Sequence, residues 1–208
     1  MAERQPTVFI VDDDELIRRS CEALVRQAGL TSQQHSSARD FLDSYEPSRP
    51  GCLVLDVRMP DMSGLELQQE LNRRGAVIPV IFVTGVAEVP VAVEAMQHGA
   101  FDFLQKPIRA RDFLDRVQRA LAFDATTRAT LLQRRQLQER FDSLTDRERE
   151  ILTMVLEGLS NKESAARMKL SSRTVEIYRA SLLRKVGARN TAHLVRMAMQ
   201  LRVVQDEP

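Results

Sequence analysis

The chain has no tryptophan, two cysteines and three histidines, and aromatic residues fill only 5% of its 208 positions. Cys21 and Cys52 lack metal-ligand spacing and sit in apolar stretches that read as a core helix and a core strand, so small buried thiols are expected. His35, His98 and His193 are scattered, which argues against a histidine metal centre. No apolar run approaches the roughly 20 residues needed to span a bilayer. Met1-Ala2-Glu3-Arg4-Gln5 lacks the basic-then-apolar order of a secretory signal. A cytoplasmic protein with no membrane partner is therefore expected.

Net charge of one sign is also missing, since the formal total is +1, but this near-zero sum hides an asymmetry. Residues 1–123 hold 14 basic and 18 acidic side chains, whereas residues 160–202 hold 10 basic and 2 acidic. The C-terminal part thus carries the electrostatic footprint of something that meets phosphates. At 208 residues, two small domains fit better than one large one.

The first half alternates strand-like and helix-like stretches. Strands are predicted at Val8 to Val11, more weakly at Ser32 to His35, then at Gly51 to Asp56, Pro79 to Val83 and Phe101 to Leu104. Helices are predicted at Glu15 to Ala28, Ala38 to Tyr45, Gly64 to Arg74 and Val89 to His98, with Gly29 and Gly99 as stops. Five such alternations predict an α/β fold with a five-stranded, doubly wound parallel sheet. From Ala110 the pattern is helical, and Thr126 to Glu139 is polar and free of Gly and Pro. A long linker helix is predicted there, with a flexible tether as the alternative. The last stretch reads as an all-α, four-helix domain, with helices near 146–157, 161–168, 172–186 and 191–201. Thr145 with Glu148 and Ser160 with Glu163 form capping boxes at two of the starts. Short helices joined by a tight turn, under a basic excess, suggest a helix-turn-helix.

The chemistry is expected where the strands end. In a parallel sheet, Asp12, Asp13 and Asp14 after the first strand, Asp56 after the third, Thr84 after the fourth and Lys106 after the fifth all reach one edge. Crowded carboxylates repel unless a cation is present, and hard oxygen donors favour Mg²⁺ (or Mn²⁺). With that charge offset, an ionised Asp56 can attack a phosphoryl group, and Lys106 and Thr84 can each take a phosphoryl oxygen.

These motifs resemble a known family. VDDD, LVLDVRMPDMSG, VTG and FDFLQKP within residues 8–121 are similar to the receiver domain of bacterial two-component response regulators, a flavodoxin-like fold. LTDREREIL and GLSNKESAARMKLSSRTVEIYRASLLRKVGARN resemble the LuxR-type helix-turn-helix, so the whole chain is similar to the FixJ/NarL type. The resemblance implies a receiver at 1–122, a linker helix at 123–143 and a DNA-binding domain at 144–208. It implies Asp56 as phosphoacceptor, Asp13 and Asp12 as metal ligands with the Arg58 carbonyl, Thr84 and Lys106 as phosphoryl contacts, and Phe103 with Thr84 as switch residues. The Lys106-Pro107 bond resembles the family's cis peptide.

For the DNA-binding part the resemblance implies that the helix from Ser172 enters the major groove. Ser172, Arg173, Thr174, Val175, Arg179 and Leu182 or Leu183 are then candidates to approach bases or backbone, and Asn161, Lys162, Ser171, Lys185 and Arg189 candidates for phosphate contacts. Glu176 stands where Lys is common, and is expected to face a neighbouring arginine rather than a cytosine amino group. The implied partners are a cognate sensor histidine kinase, promoter DNA, a second copy of the chain on phosphorylation, and RNA polymerase as a further candidate.

The expected function is a phosphorylation-regulated transcriptional regulator, not a classical enzyme. A dehalogenase-like phosphohydrolase needs a second Asp two residues after the first, and Arg58 stands there. The remaining rival keeps the architecture but lets DNA binding proceed without phosphorylation.

Overall fold

A computed structural model describes residues 5–85 and 96–201. The chain divides into two compact units, Met1–Ala129 and Thr130–Pro208.

The first unit is built on a five-stranded parallel sheet: β1 (Thr7–Val11), β2 (Thr31–His35), β3 (Gly51–Asp56), β4 (Val80–Thr84) and β5 (Asp102–Gln105), in the order β2-β1-β3-β4-β5. The three central strands are buried at every position. Helices on both faces require this, which is why those strands read as unbroken apolar runs. Successive side chains alternate between two cores. Phe9, Val11, Leu53, Leu55 and Phe82 face α2 (Ala38–Ser44) and α3 (Gly64–Arg73). Val8, Ile10, Cys52, Val54, Ile81 and Val83 face α1 (Glu15–Gln27) and the start of α4 (Ala110–Asp142). Both cysteines lie in this second core, and burial pushes the Cys21 thiol up to about 12 and the Cys52 thiol higher still. Of the helix expected over 89–98, residues 89–95 lie outside the described residues.

Helix α4 is continuous for 33 residues. Phe113, Val117 and Ala120 bury against the sheet, and the residues just beyond belong to the same unit. Asp124, only 1% exposed, accepts the Gly51 N–H at 2.9 Å and pairs with Arg128 at 2.8 Å. The Arg128 guanidinium donates to the Pro47 and Arg49 carbonyls at 2.7 and 2.9 Å. This clasp holds the loop before β3, so residues 123–128, expected as linker, pack as part of the first unit. Asp124→Ala leaves a buried N–H and a guanidinium without their acceptor, and is expected to cost the unit about 3 kcal/mol in urea unfolding.

The second unit holds α5 (Asp146–Leu156), α6 (Asn161–Met168), α7 (Ser172–Val186) and α8 (Thr191–Leu201). Both expected capping boxes are formed. Its core joins Phe141 and Leu144 to Ile151, Leu152, Val155, Val175, Leu182, Val186, Leu194 and Ala198. Among the described residues no helix is long and apolar enough to cross a membrane.

Candidate functional site

Because all strand pairings are parallel, the C-terminal ends of β1, β3, β4 and β5 lie along one edge. Asp12 follows β1, Asp56 ends β3, Thr84 ends β4 and Lys106 follows β5; Asp12, Asp56 and Thr84 are buried, and Asp13 is exposed. The Lys106 ammonium donates to Asp56 Oδ1 at 2.6 Å and to Asp12 Oδ2 at 2.9 Å. Asp56 Oδ2 accepts the Arg58 N–H at 2.8 Å, and Asp12 Oδ1 accepts the Asp14 N–H at 2.8 Å. The Lys106 N–H donates to the Thr84 carbonyl at 2.8 Å, tying the ends of β4 and β5 together. The Lys106-Pro107 peptide is cis, and Phe103 on β5 is partly open to solvent.

Burial pushes the Asp56 carboxyl above its usual range; Lys106 and the Arg58 N–H pull it down while Asp12 adds to the rise. Burial also opposes the charge on Lys106, but the two carboxylates outweigh it and hold the ammonium above its ordinary value. The Lys106 ammonium thus bridges two buried carboxyl groups from a partly covered position. One carboxylate oxygen each from Asp12, Asp13 and Asp56 lies within 4.8 Å of the others, the one such group of three among the described residues. An all-oxygen donor set of this kind fits a hard divalent cation.

The loop after Asp56 is shaped by Gly64. A Cβ there would stand 2.2 Å from the Asp56 carbonyl oxygen and 3.0 Å from the Phe82 ring. Gly64→Ala must therefore move the strand end that carries the carboxylate. It is expected to cost about 1–3 kcal/mol of stability, measured by urea unfolding.

In the second unit the structure sorts the residues proposed for DNA. Ser172, Arg173, Lys162 and Arg189 are exposed, and Thr174 is half-buried. Ser171 caps α7, its hydroxyl accepting the Thr174 N–H at 3.0 Å. Val175 is a correction: it is fully buried in the core of the unit and cannot approach a base, and Leu182 is buried beside it. Arg179 donates to Asn161 Oδ1 and, at 2.9 Å, to the Leu159 carbonyl, so these two candidates fasten α7 to the start of α6. Lys185 reaches the buried Glu148 at 2.7 Å. Glu176 lies 3.4 Å from Arg173, the arrangement expected for it. The outward face of α7 is instead Arg173, Glu176, Ile177, Ala180 and Arg184. The last three were missed, although their spacing opposite Val175, Leu182 and Val186 marks them.

Comparison with known proteins agrees with both halves. The response regulator receiver domain matches residues 8–118, and the bacterial regulatory proteins of the luxR family match residues 142–198. The transcriptional regulatory protein FixJ of Azorhizobium caulinodans is 44% identical over 199 residues, covering 96% of this chain and 94% of that protein. Response regulator protein TodT of Pseudomonas putida is 38% identical over 97% of this chain and 89% of its own. Among solved structures, response regulator StyR superimposes with a TM-score of 0.87 at 38% identity, covering 94% of this chain and 99% of that one.

Proposed function

The chain belongs to the two-component response regulators that join a receiver domain to a LuxR-type DNA-binding domain, and we propose that Asp56 accepts the phosphoryl group that governs its DNA binding. A receiver implies a kinase as donor, and the second domain implies DNA as the target. The observation that carries the Asp56 assignment is the contact of Lys106 with both Asp56 and Asp12 beside a third carboxylate, at the edge where the four strands end.

The transfer follows from that arrangement. An ionised Asp56 oxygen forms the new bond to phosphorus as the bond from phosphorus to the donor's leaving atom breaks, and the leaving atom keeps the electron pair. Lys106 holds one phosphoryl oxygen and the Thr84 hydroxyl another, so charge that develops on the group meets donors already in place. Asp12, Asp13 and Asp56, with the Arg58 carbonyl, are the groups that would hold Mg²⁺ or Mn²⁺, which supplies further charge neutralisation when bound. Phosphorylation adds negative charge and acceptor oxygens at the sheet edge. Thr84 moves toward them, and Phe103 turns into the space left behind.

The changed surface pairs two receivers, and pairing delivers two DNA-binding domains to paired half-sites in promoter DNA. RNA polymerase is a further partner in this reading, and the setting is the cytoplasm. The test is covalent: protein incubated with acetyl phosphate and Mg²⁺ should take up acid-labile phosphate, and Asp56→Asn should take up none. Equal uptake by the variant would move the acceptor elsewhere.

A further inference from the structure

The acidic loop is held by the helix that follows it. Arg18, the fourth residue of α1, is half-buried and turns its guanidinium back to donate to the Asp12 carbonyl at 2.7 Å. A cation in the first turn of a helix opposes the helix dipole, so this placement needs a local reason. Arg19 beside it shows the ordinary alternative, an exposed ion pair with Glu15. The remaining polar groups of Asp12 are already engaged. Its Oδ1 accepts the Asp14 N–H, its Oδ2 accepts Lys106, and its own N–H donates to the His35 carbonyl at 3.4 Å. Asp13 differs: it is exposed, and among the described residues no hydrogen bond or ion pair holds its carboxylate. Its place is therefore set by the backbone.

We propose that Arg18 is a positioning residue for the divalent cation, given the reading that Asp12, Asp13 and Asp56 hold it. A peptide is planar, so a donor that fixes the Asp12 carbonyl also fixes the Asp13 nitrogen and Cα. Arg18 thereby keeps an oxygen of the Asp13 carboxylate within 4.8 Å of one from each of its two partners. The bond is charge-assisted, and such bonds are roughly twice as strong as neutral ones. Position and charge act in opposite senses here. A guanidinium close to the cluster repels a second cation, so its removal would tighten metal binding if charge alone counted. Loss of the support would loosen it. Half-buried Arg18 also faces water, which screens its charge, whereas removing a group that orients a metal ligand typically costs about 10- to 100-fold in metal affinity. The positioning effect is the larger.

The test is calorimetric titration of the untreated full-length chain with Mg²⁺, which reads binding without phosphorylation. Arg18→Ala should bind Mg²⁺ about tenfold more weakly than wild type. Arg18→Lys, which keeps a charged donor, should lose about threefold or less. Phosphate uptake from acetyl phosphate by Arg18→Ala should fall at limiting Mg²⁺. It should return to within about threefold of wild type once Mg²⁺ saturates, because Asp56, Thr84 and Lys106 are untouched. Unchanged or tighter Mg²⁺ binding by Arg18→Ala would overturn the assignment, as would an uptake defect that saturating Mg²⁺ does not relieve. In either case, wild-type Mg²⁺ binding that Asp13→Asn weakens would leave the metal reading of the three carboxylates standing. Failure of the wild-type chain to bind Mg²⁺ would overturn both.

Discussion

Lys106→Ala should slow phosphoryl transfer from acetyl phosphate to Asp56 by about 100-fold or more, with the sheet still folded. The size follows from what the ammonium does. It contacts Asp56 and Asp12 at 2.6 and 2.9 Å from a position only 27% exposed. It is therefore already placed beside the oxygen proposed to attack. Removing one pre-positioned donor from a water-poor site typically costs 10² to 10³ in rate. The fold should survive, because β5 is held by its backbone pairing with β4 from Asp102 to Gln105 and not by this side chain. Phosphate uptake followed over time, with far-ultraviolet circular dichroism as the control for folding, measures both parts. A rate within threefold of wild type would reduce Lys106 to a structural counter-ion.

The second large effect lies in the DNA-binding unit. Glu148 is buried, and its carboxylate gathers four donors. Oε2 accepts from the Thr145 N–H at 2.9 Å, the Thr145 hydroxyl at 2.8 Å and Lys185 at 2.7 Å, and Oε1 accepts from Ser181 at 2.8 Å. One side chain thus caps α5 and fixes α7 against it. Glu148→Ala leaves these donors without an acceptor and should lower the stability of the unit by about 3 kcal/mol. Glu148→Gln keeps the shape but loses the charge and should cost about half as much.

Acid gives an independent check. Burial opposes the charge on Glu148, but Lys185, Thr145 and Ser181 outweigh it and hold its carboxyl down at about 2, against an ordinary 4.5. A depressed folded-state value means that the stabilisation is fully present above about pH 4.5 and is lost as the pH falls toward 2. The gap between wild type and Glu148→Gln should therefore close over that window in urea unfolding series. A constant gap would show that the carboxylate charge contributes nothing.

Both sites show why some features were legible in the sequence and others were not. The central strands announce themselves because two covered faces demand apolar residues at every position, as in Gly51 to Asp56. Edge strand β2, TSQQH, gives a weak signal because it is only half covered, yet it pairs with β1 across its whole length. The acidic cluster was readable because parallel strands deliver their ends to one side, whatever the details of packing. Asp124 and Arg128 were not, since an i, i+4 pair on a polar helix looks like an ordinary solvated ion pair until the loop at 47–51 is placed against it. Glu148 was visible only as a capping-box acid, because Lys185 is 37 residues away and looked free for phosphate. On α7 the basic excess drew attention to Arg179 and Lys185, whereas the buried phase set by Val175, Leu182 and Val186 turns Ile177 and Ala180 outward.

The central claim is that phosphorylation of Asp56 controls DNA binding, and the affinity of the full-length chain for a selected duplex measures it most directly. Wild type treated with acetyl phosphate and Mg²⁺ should bind at least tenfold more tightly than untreated protein and should sediment as a dimer, while Asp56→Asn gains nothing from the same treatment. If Asp56→Asn dimerises and binds that duplex as tightly as the phosphorylated wild type, the coupling described here is wrong.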